Sequence, residues 1–439
     1  MPSIFKVWLH CKLIQLCSHL QSICICTVIC VHFFLLLNFE LFVFSCRLWV
    51  MAATQSLSWS DLPPDLLGLV IKNLPSTADR VRLRAVCHPW RSNALQFLPP
   101  RLPWLTLPDG AFLRIPDGEV IRMPLPDGAR CHASIDNWLF LMQSNGECSL
   151  VNPFSKAMVE LPKLATVWSQ DSSNATSGLH PSLYKLVAPL DSSPDSLVAV
   201  LILDEGNLST VCICQPPIVT DTSSTRAMHP MQVFHDVTFF NGKLHGLSSW
   251  NKLFVFDIDY DLSDKPKISC IKCIIDYGEG LRDLPQPLSR GMVPMKKEYL
   301  VECSGRLLKV RWFFQCDCGG PTRFYLNNYR TVAFDVFEAA LATNNRQWRK
   351  VSNLGGQVLF VGRHCSKSFS VVEHNGIQGD CIYFMCDYNP SHANPLYDSG
   401  IYNMTTGVIS PLLSETMALP QQHHHGRWCP TWIFPADYM

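Results

Sequence analysis

Three groupings in this 439-residue sequence have the residue types and spacing to do chemistry. Cys270-x-x-Cys273, with Cys303 and the pair Cys316-x-Cys318 further along, suggests a metal. So does His423-His424-His425, close to Cys429. A zinc ribbon needs two knuckles of the C-x-x-C kind, and only one is present. "ISCIKCIID" also reads as an apolar strand, where residues three apart point to opposite faces and chelate together poorly. Adjacent histidines rarely converge on one ion, so the His tract reads as an exposed polar stretch ahead of a last strand. His245 and Ser248 in "HGLSSW" bring a base near a hydroxyl, but the second glycine of a nucleophile elbow is missing. No phosphate loop or zinc-protease helix occurs. The expectation is a chain without a catalytic residue, metal or cofactor.

The elements around these residues explain more. Formal net charge is zero, which argues against a nucleic-acid binder working through a basic face. Charged residues are 16% of the chain, below the roughly 25% of ordinary globular proteins, while 47% of residues are hydrophobic. Such a composition suits a β-rich fold with much buried strand. The 20 cysteines are scattered through apolar stretches without a framework spacing, and they read as reduced core residues. Basic residues around Arg306, Lys309, Arg311 and Arg323 read as interspersed charge on strand edges. Trp138, Trp168, Trp250 and Trp348 are expected to be buried anchors.

Residues 1–50 differ from the rest. No Asp, Glu, Lys or Arg falls between Leu13 and Phe39, and the apolar run is long enough to span a bilayer, which takes about 20 residues. A membrane anchor with Lys6 and Lys12 ahead of it would send the remainder to the lumen. N-x-S/T sequons at Asn174, Asn207 and Asn403 would suit that location. The alternative is that Met51 is the initiator and the preceding segment is an artefact of translating upstream sequence.

Residues 61–92, "DLPPDLLGLVIKNLPSTADRVRLRAVCHPWRS", read as three short helices. Asp61 suits an N-cap, and Pro63 and Pro64 fall in a first turn where missing amide donors do little harm. Leu66, Leu67, Val70, Ile71 and Leu74 then follow at helical spacing before Pro75. Ser76 and Asp79 resemble a capping box for a helix carrying Val81, Leu83, Ala85 and Val86. Pro89 opens a third helix with Trp90 as its large apolar contact. Some forty residues cannot close a core unaided, so apolar surface is left for a neighbour to cover.

Beyond residue 107 the texture changes to short apolar runs separated by turn residues. "NWLFLMQSNGECSLVNP", "VFHDVTFFNGKLHGLSSWNKLFVFDID", "EYLVECSGRLLKVRWFF" and "FSVVEHNGIQGDCIYFM" each read as strands joined antiparallel across a tight turn. Their regular spacing favours a β-propeller over a large β-sandwich.

Two resemblances give these halves a meaning. Leu62-Pro63, Asp65-Leu66-Leu67, Ile71, Leu74-Pro75, Val81, Leu83, Val86-Cys87 and Trp90-Arg91 resemble the F-box, placed at residues 57–98. Downstream, "LVNPFSKAMVELPKL", "DVTFFNGKLHGL", "YLVECSGRLLKV", "WRKVSNLGGQVLFVG", "GDCIYF" and "WCPTWIFP" are similar to the plant KIB-type β-propeller, also known as domain of unknown function 295, over residues 107–435. Its most specific part is Leu354-Gly355 through Gly362 with Gly379 to Phe384. The resemblances imply a multidomain chain, a small all-α unit followed by an all-β propeller, acting as the substrate receptor of a Skp-cullin-F-box ubiquitin ligase in cytosol or nucleus. They imply that Leu62, Pro63, Leu66, Leu67, Val70, Ile71, Leu74, Leu83, Val86, Cys87 and Trp90 meet a Skp-type adaptor, and through it a cullin. The target is not implied. If residues 1–50 are real, the competing reading is an anchored or secreted propeller with no ubiquitin role.

Overall fold

The structure is a computed structural model that describes residues 62–73, 83, 86–94 and most of 102–435. The segments left out between 102 and 435 are 116–117, 127, 163, 165–180, 190–196, 205–208, 217–222, 227–232, 249, 263–264, 277–291, 318–328, 343–345, 372–376, 388–394 and 414–427. Residues 1–50, with the apolar run, lie outside the described residues, as do Trp168, Asn174, Asn207, Arg323 and the His423 tract. Among the described residues no helix is long and apolar enough to cross a membrane. The chain divides into two compact units, one up to Pro99 and one from Pro100 to Asp437.

In the first unit, helix α1 (Pro64–Asn73) begins at the second proline, as the missing amide donor allows. Its first turn closes on Pro63, whose carbonyl accepts from the amides of Leu66 and Leu67, both at 3.1 Å. Helix α2 (His88–Ala94) starts one residue before Pro89. Of the middle helix of the sequence reading, Leu83 is helical, Val86 lies in a bend with its amide donating to the Leu83 carbonyl at 3.2 Å, and Val81 and Ala85 lie outside the described residues.

The second unit is a six-bladed β-propeller. Blade 1 joins β1 (Trp104–Thr106), β2 (Phe112–Arg114) and β3 (Val120–Ile121) to the last strand, β25 (Trp432–Ile433). Blade 2 runs β4 (Arg130–Ile135), β5 (Trp138–Met142), β6 (Cys148–Val151), β7 (Met158–Leu161). Blade 3 holds β8 (Pro181–Val187), β9 (Val198–Asp204), β10 (Ser209–Cys214) and β11 (Ser223–Arg226). Blade 4 is built from β12 (Phe234–Phe240), β13 (Lys243–Ser248), β14 (Leu253–Tyr260) and β15 (Pro266–Ile275). Blade 5 comprises β16 (Met292–Cys303), β17 (Arg306–Asp317), β18 (Tyr329–Ala340) and β19 (Gln347–Val351). Blade 6 has five strands, β20 (Gln357–Val361), β21 (Lys367–Ser370), β22 (Cys381–Phe384), β23 (Gly400–Asn403) and β24 (Ile409–Ser410).

Turn chemistry sets the hairpins. Asn241-Gly242 (φ 48° and 72°) and Ser304-Gly305 (φ 49° and 75°) place two consecutive residues in the left-handed region, as a two-residue turn between right-twisted strands demands. One hairpin expectation fails. β21 and β22, the two strands of "FSVVEHNGIQGDCIYFM", do not pair with each other. Both pair with β20, which lies between them, β21 antiparallel and β22 parallel. The parallel connection runs from the end of β20 at Val361 to the start of β22 at Cys381 and takes in β21 on the way, long enough for the dozen or so residues that a parallel crossover needs.

Six apolar clusters hold the ring together, each shared by two neighbouring blades. The blades are therefore buried on both faces. Accordingly β9 and β10 are buried at every residue, which is why strict alternation is absent from their sequence. Closure is achieved by β25, where Leu105 pairs with Trp432 and Trp104 with Ile433. The packing is tight enough to exclude a methyl group at Gly246. A Cβ there would lie 2.8 Å from Phe234 Cδ1 and 2.9 Å from Phe256 Cε2, both on buried rings. Gly246→Ala is expected to destabilise the propeller by about 1–3 kcal/mol through overpacking. Thermal melting of the whole chain would show it as a lowered midpoint.

Candidate docking helices and the propeller axis

In the helical unit the eleven apolar residues read as adaptor-facing do not share one role. Leu67, Ile71, Leu83 and Trp90 are buried together, with Leu62, Val70 and Cys87 packed against them. These side chains hold α1 and α2 to each other. Pro63 is exposed, Leu66 half-buried outside that cluster, and Val86 is 48% exposed. Leu74 lies outside the described residues. A spacing pattern cannot separate the two groups, because the face that closes the helical core and its flank recur at the same three and four residue intervals.

In the propeller, polar side chains gather where the inner strands converge, and they stitch blade to blade. Ser134 of β4 meets Thr431 Oγ1 at 2.7 Å, joining blades 2 and 1. The His132 ring stands edge-on to Tyr184 of β8 with centroids 5.4 Å apart, joining blades 2 and 3. Lys185 forms a buried ion pair with Asp236 of β12, joining blades 3 and 4. Asp236 Oδ2 accepts from the Leu300 amide of β16 at 2.8 Å, and Oδ1 from Val237 at 2.7 Å. Asp387, just after β22, ties blade 6 to blade 5. It takes the Tyr299 hydroxyl at 3.0 and 2.9 Å and the Lys297 ammonium at 3.2 Å. Trp432 Nε1 donates to the Val361 carbonyl at 2.8 Å and completes the ring between blades 1 and 6.

The turn between β20 and β21, Gly362 to Ser366, is strapped across this ring. Its Arg363 amide donates to Asp387 Oδ2 at 2.6 Å. The next residue, His364, places Nδ1 2.9 Å from the carbonyl of Tyr184 on blade 3, which lies opposite blade 6. Since a carbonyl only accepts, Nδ1 carries the proton. Lys367, at the far end of the turn, pairs with Asp136 beyond β4. The turn thus plugs the channel at about the level of these contacts.

Burial sets the titration of these groups. It pushes Asp236 upward against the pull of Lys185, lowers Lys297 despite Asp387, and raises Tyr299 well above the ordinary phenol. It lowers His364 to about 4 and His132 to about 4. A histidine whose folded value lies below its unfolded one binds protons more readily when unfolded. Stability is then complete above the unfolded value near 6.5 and is lost as pH falls toward 4. Melting midpoints are expected to drop steeply between those values, and His364→Gln, which keeps a donor for the Tyr184 carbonyl, to flatten the drop.

Elsewhere several expectations need correction. Lys309 and Arg311 are not edge charges, since both are 1% exposed. Lys309 Nζ lies 4.7 Å from the Phe337 ring centroid and 4.6 Å from that of Trp348, and Arg311 Nε donates to Glu298 at 2.8 Å. Ring faces and a carboxylate let these cations sit inside blade 5. Trp348 is buried as expected, but Trp250 is 54% exposed on the β13–β14 turn and Trp138 only half-buried. Cys270 and Cys273 are both exposed on β15, whose register against β14 is broken by irregularities. Cys316 lies on β17 without a described side chain, and Cys318 lies outside the described residues. Among the described residues no cluster of three or more His, Cys, Asp and Glu side chains could hold a metal ion. His245 is buried with Nδ1 3.0 Å from the Lys243 carbonyl, and Ser248 is buried at the end of the same strand. Burial raises the thiols of Cys212 and Cys214 to about 12 and of Cys365 to about 11, so none of these is primed as a nucleophile. Asn403 ends β23 with its side-chain oxygen accepting from the amides of Thr405 and Thr406, both at 2.9 Å.

Arg363 and the strap escaped the sequence reading. A lone arginine in "VGRHCSKS" matches no motif, and the only signal was that Leu354 to Gly362 is the most family-specific stretch of the chain.

Comparison with known proteins agrees with this architecture. Residues 112–403 match the family model described as KIB1-4 beta-propeller, and residues 59–97 match the F-box domain. Relatives in Arabidopsis thaliana include "Probable F-box protein At4g22165", 22% identical over 84% of this chain and 96% of that protein. "F-box protein At2g17036" is 23% identical over 72% of this chain and 80% of its own length, and "F-box protein SKIP23" 23% identical over 80% and 90%. Among solved structures, the β-propeller domain of Myceliophteria thermophila Cps50 (Swd1) matches at a TM-score of 0.33 and 9% identity, covering 70% of this chain and 92% of that one, a likeness too remote to say more. An F-box joined to such a propeller suggests a substrate-recognition subunit that binds a Skp-type adaptor, and it fits a non-catalytic adaptor role. With a six-bladed ring from blade 1 to blade 6 and an F-box ahead of it, the chain belongs to the KIB1-4 beta-propeller family and is a plant F-box β-propeller protein.

Proposed function

We propose that this chain is the substrate receptor of a Skp-cullin-F-box ubiquitin ligase, its helices docked on a Skp-type adaptor and its propeller holding a target protein. The observation that carries this is the division of labour in the F-box. Leu67, Ile71, Leu83 and Trp90 close the helical core, while Pro63, Leu66 and Val86 keep apolar surface outside it. Leu62, Val70 and Cys87 are only partly buried against that core and are assigned to the same adaptor-facing set, as is Leu74 on its sequence spacing alone. The adaptor covers this face and brings the cullin.

The chain contributes no catalytic group. Its chemistry is proximity, since an acceptor lysine positioned beside the ubiquitin donor reacts far faster than one arriving by diffusion. It needs no cofactor and works where the ligase assembles, in cytosol or nucleus. Proximity labelling in plant tissue tests this. The intact chain should label a Skp-type adaptor and a cullin, and a full-length Leu66→Asp/Val86→Asp variant should lose both while still labelling its target. Equal cullin labelling by the two would refute the proposal.

A further inference from the structure

The strap across the channel leaves one cation without an ionic partner. Lys185 is matched by Asp236, Lys297 by Asp387, and Glu298 serves both Arg311 and Lys296. Arg363 is different. Its backbone amide is engaged with Asp387, but among the described residues no carboxylate stands within ion-pair range of its guanidinium, which is half-buried. Its charge acts on groups that approach from several sides: His235 on β12, Lys297 and Tyr299 on β16, His364 beside it, and Cys429 ahead of β25. Geometry puts Arg363 at the axis: its amide is held at 2.6 Å by Asp387 on blade 6, and the next residue, His364, reaches the Tyr184 carbonyl of the opposite blade 3 at 2.9 Å.

Two of the strand starts around it bring cations, Arg130 and Lys296, the latter beside Glu298. A third brings His235, which desolvation holds below the ordinary histidine value, so that it serves as a neutral hydrogen-bond donor. His235 lies in the opening half of β12 at a register irregularity between Phe234 and Asp236, which turns it outward, and it is exposed. Lys296 lies in the opening half of β16 with its ammonium 3.7 Å from a carboxylate it shares with Arg311. Arg130 opens β4 and is exposed. Inner strands of a propeller run the same way along the axis, so these residues share one end of it.

We propose that this end of the axis binds a phosphate group, with Arg363 as its central ligand and Lys296 and His235 beside it. This rests on the reading of the propeller as a target holder and names the feature it takes, a phosphorylated side chain. The chemistry favours phosphate over a carboxylate. The carboxylates already present satisfy the paired lysines, and the remaining surplus suits an anion of about −1.5 to −2 with three acceptor oxygens. A guanidinium fork presents two parallel donors to such a group.

The test uses the full-length chain and fluorescence anisotropy with a degenerate peptide pool carrying central phosphoserine, against the same pool unphosphorylated. Binding of the phosphorylated pool is expected to be about tenfold tighter or more, as charge-assisted hydrogen bonds imply. Inorganic phosphate should compete, Arg363→Gln and Lys296→Gln should each erode the preference, and Arg363→Lys should retain part of it. Free O-phosphoserine competing as well as the peptide pool would support the site and assign it to a small phosphate ester. No preference for phosphate, or a preference intact in Arg363→Gln, would overturn the proposal. Adaptor binding measured on the same samples keeps the two readings apart, because a chain that binds phosphate but no adaptor refutes the ligase reading alone. Melting curves of each variant confirm folding.

Discussion

Asp236→Ala is expected to cost the propeller about 3–5 kcal/mol, because it strands the Lys185 ammonium in a site where both side chains are almost fully enclosed. That is a large part of the 5–15 kcal/mol that holds a typical domain together, roughly speaking. The loss has two sources. Lys185 becomes an unpaired buried charge, and the amides of Leu300 and Val237 lose their acceptor. A second substitution separates them. Asp236→Ala with Lys185→Met removes the buried charge and leaves only the unsatisfied amides, so it is expected to recover more than half of the lost stability. Urea denaturation followed by tryptophan fluorescence measures both variants. A single variant within 1 kcal/mol or so of wild type would mean that the pair is not the junction between blades 3 and 4 described above.

The second large effect concerns the helices, and it depends on which residue is changed. Trp90→Ala or Ile71→Ala should destabilise the helical unit by about 2–5 kcal/mol, since both side chains are buried in its small core. Adaptor binding then falls because the docking surface is lost with the fold. Leu66→Asp with Val86→Asp should leave the fold near wild type, because neither residue belongs to that core. It should nonetheless weaken adaptor binding about a hundredfold or more, by placing two charges in an apolar interface. Circular dichroism of the helical signal alongside the binding assay distinguishes the two routes.

How far the sequence revealed this depends on the range of the interaction. Hairpins at Asn241-Gly242 and Ser304-Gly305 were legible because turn chemistry is local. The first helix was legible for the same reason, but the sequence places its start too early. Asp61, read as the cap, lies outside the described residues, Leu62 and Pro63 are not helical, and the helix opens at Pro64. Blade closure was not, because Thr106 and Thr431 meet across 325 residues and nothing near either marks the other as its partner. The order of strands in blade 6 was misread because β21 and β22 are neighbours in sequence, whereas β20 intervenes in space. Lys309 and Arg311 were misread because residue type suggests solvent, while the aromatic faces of Phe337 and Trp348 that enclose them come from strands further along the chain. The axial network belongs to the same class. Its members come from every blade, one or two residues at a time, and spacing cannot join them.

The central claim is that the F-box face is completed by another protein. Calorimetric titration of the full-length chain with a purified Skp-type adaptor tests it most directly. A saturable one-to-one complex, lost in Leu66→Asp/Val86→Asp while the melting midpoint holds, is the expected result. A well-folded, monodisperse wild-type chain that gives no heat with any adaptor of that type would contradict it.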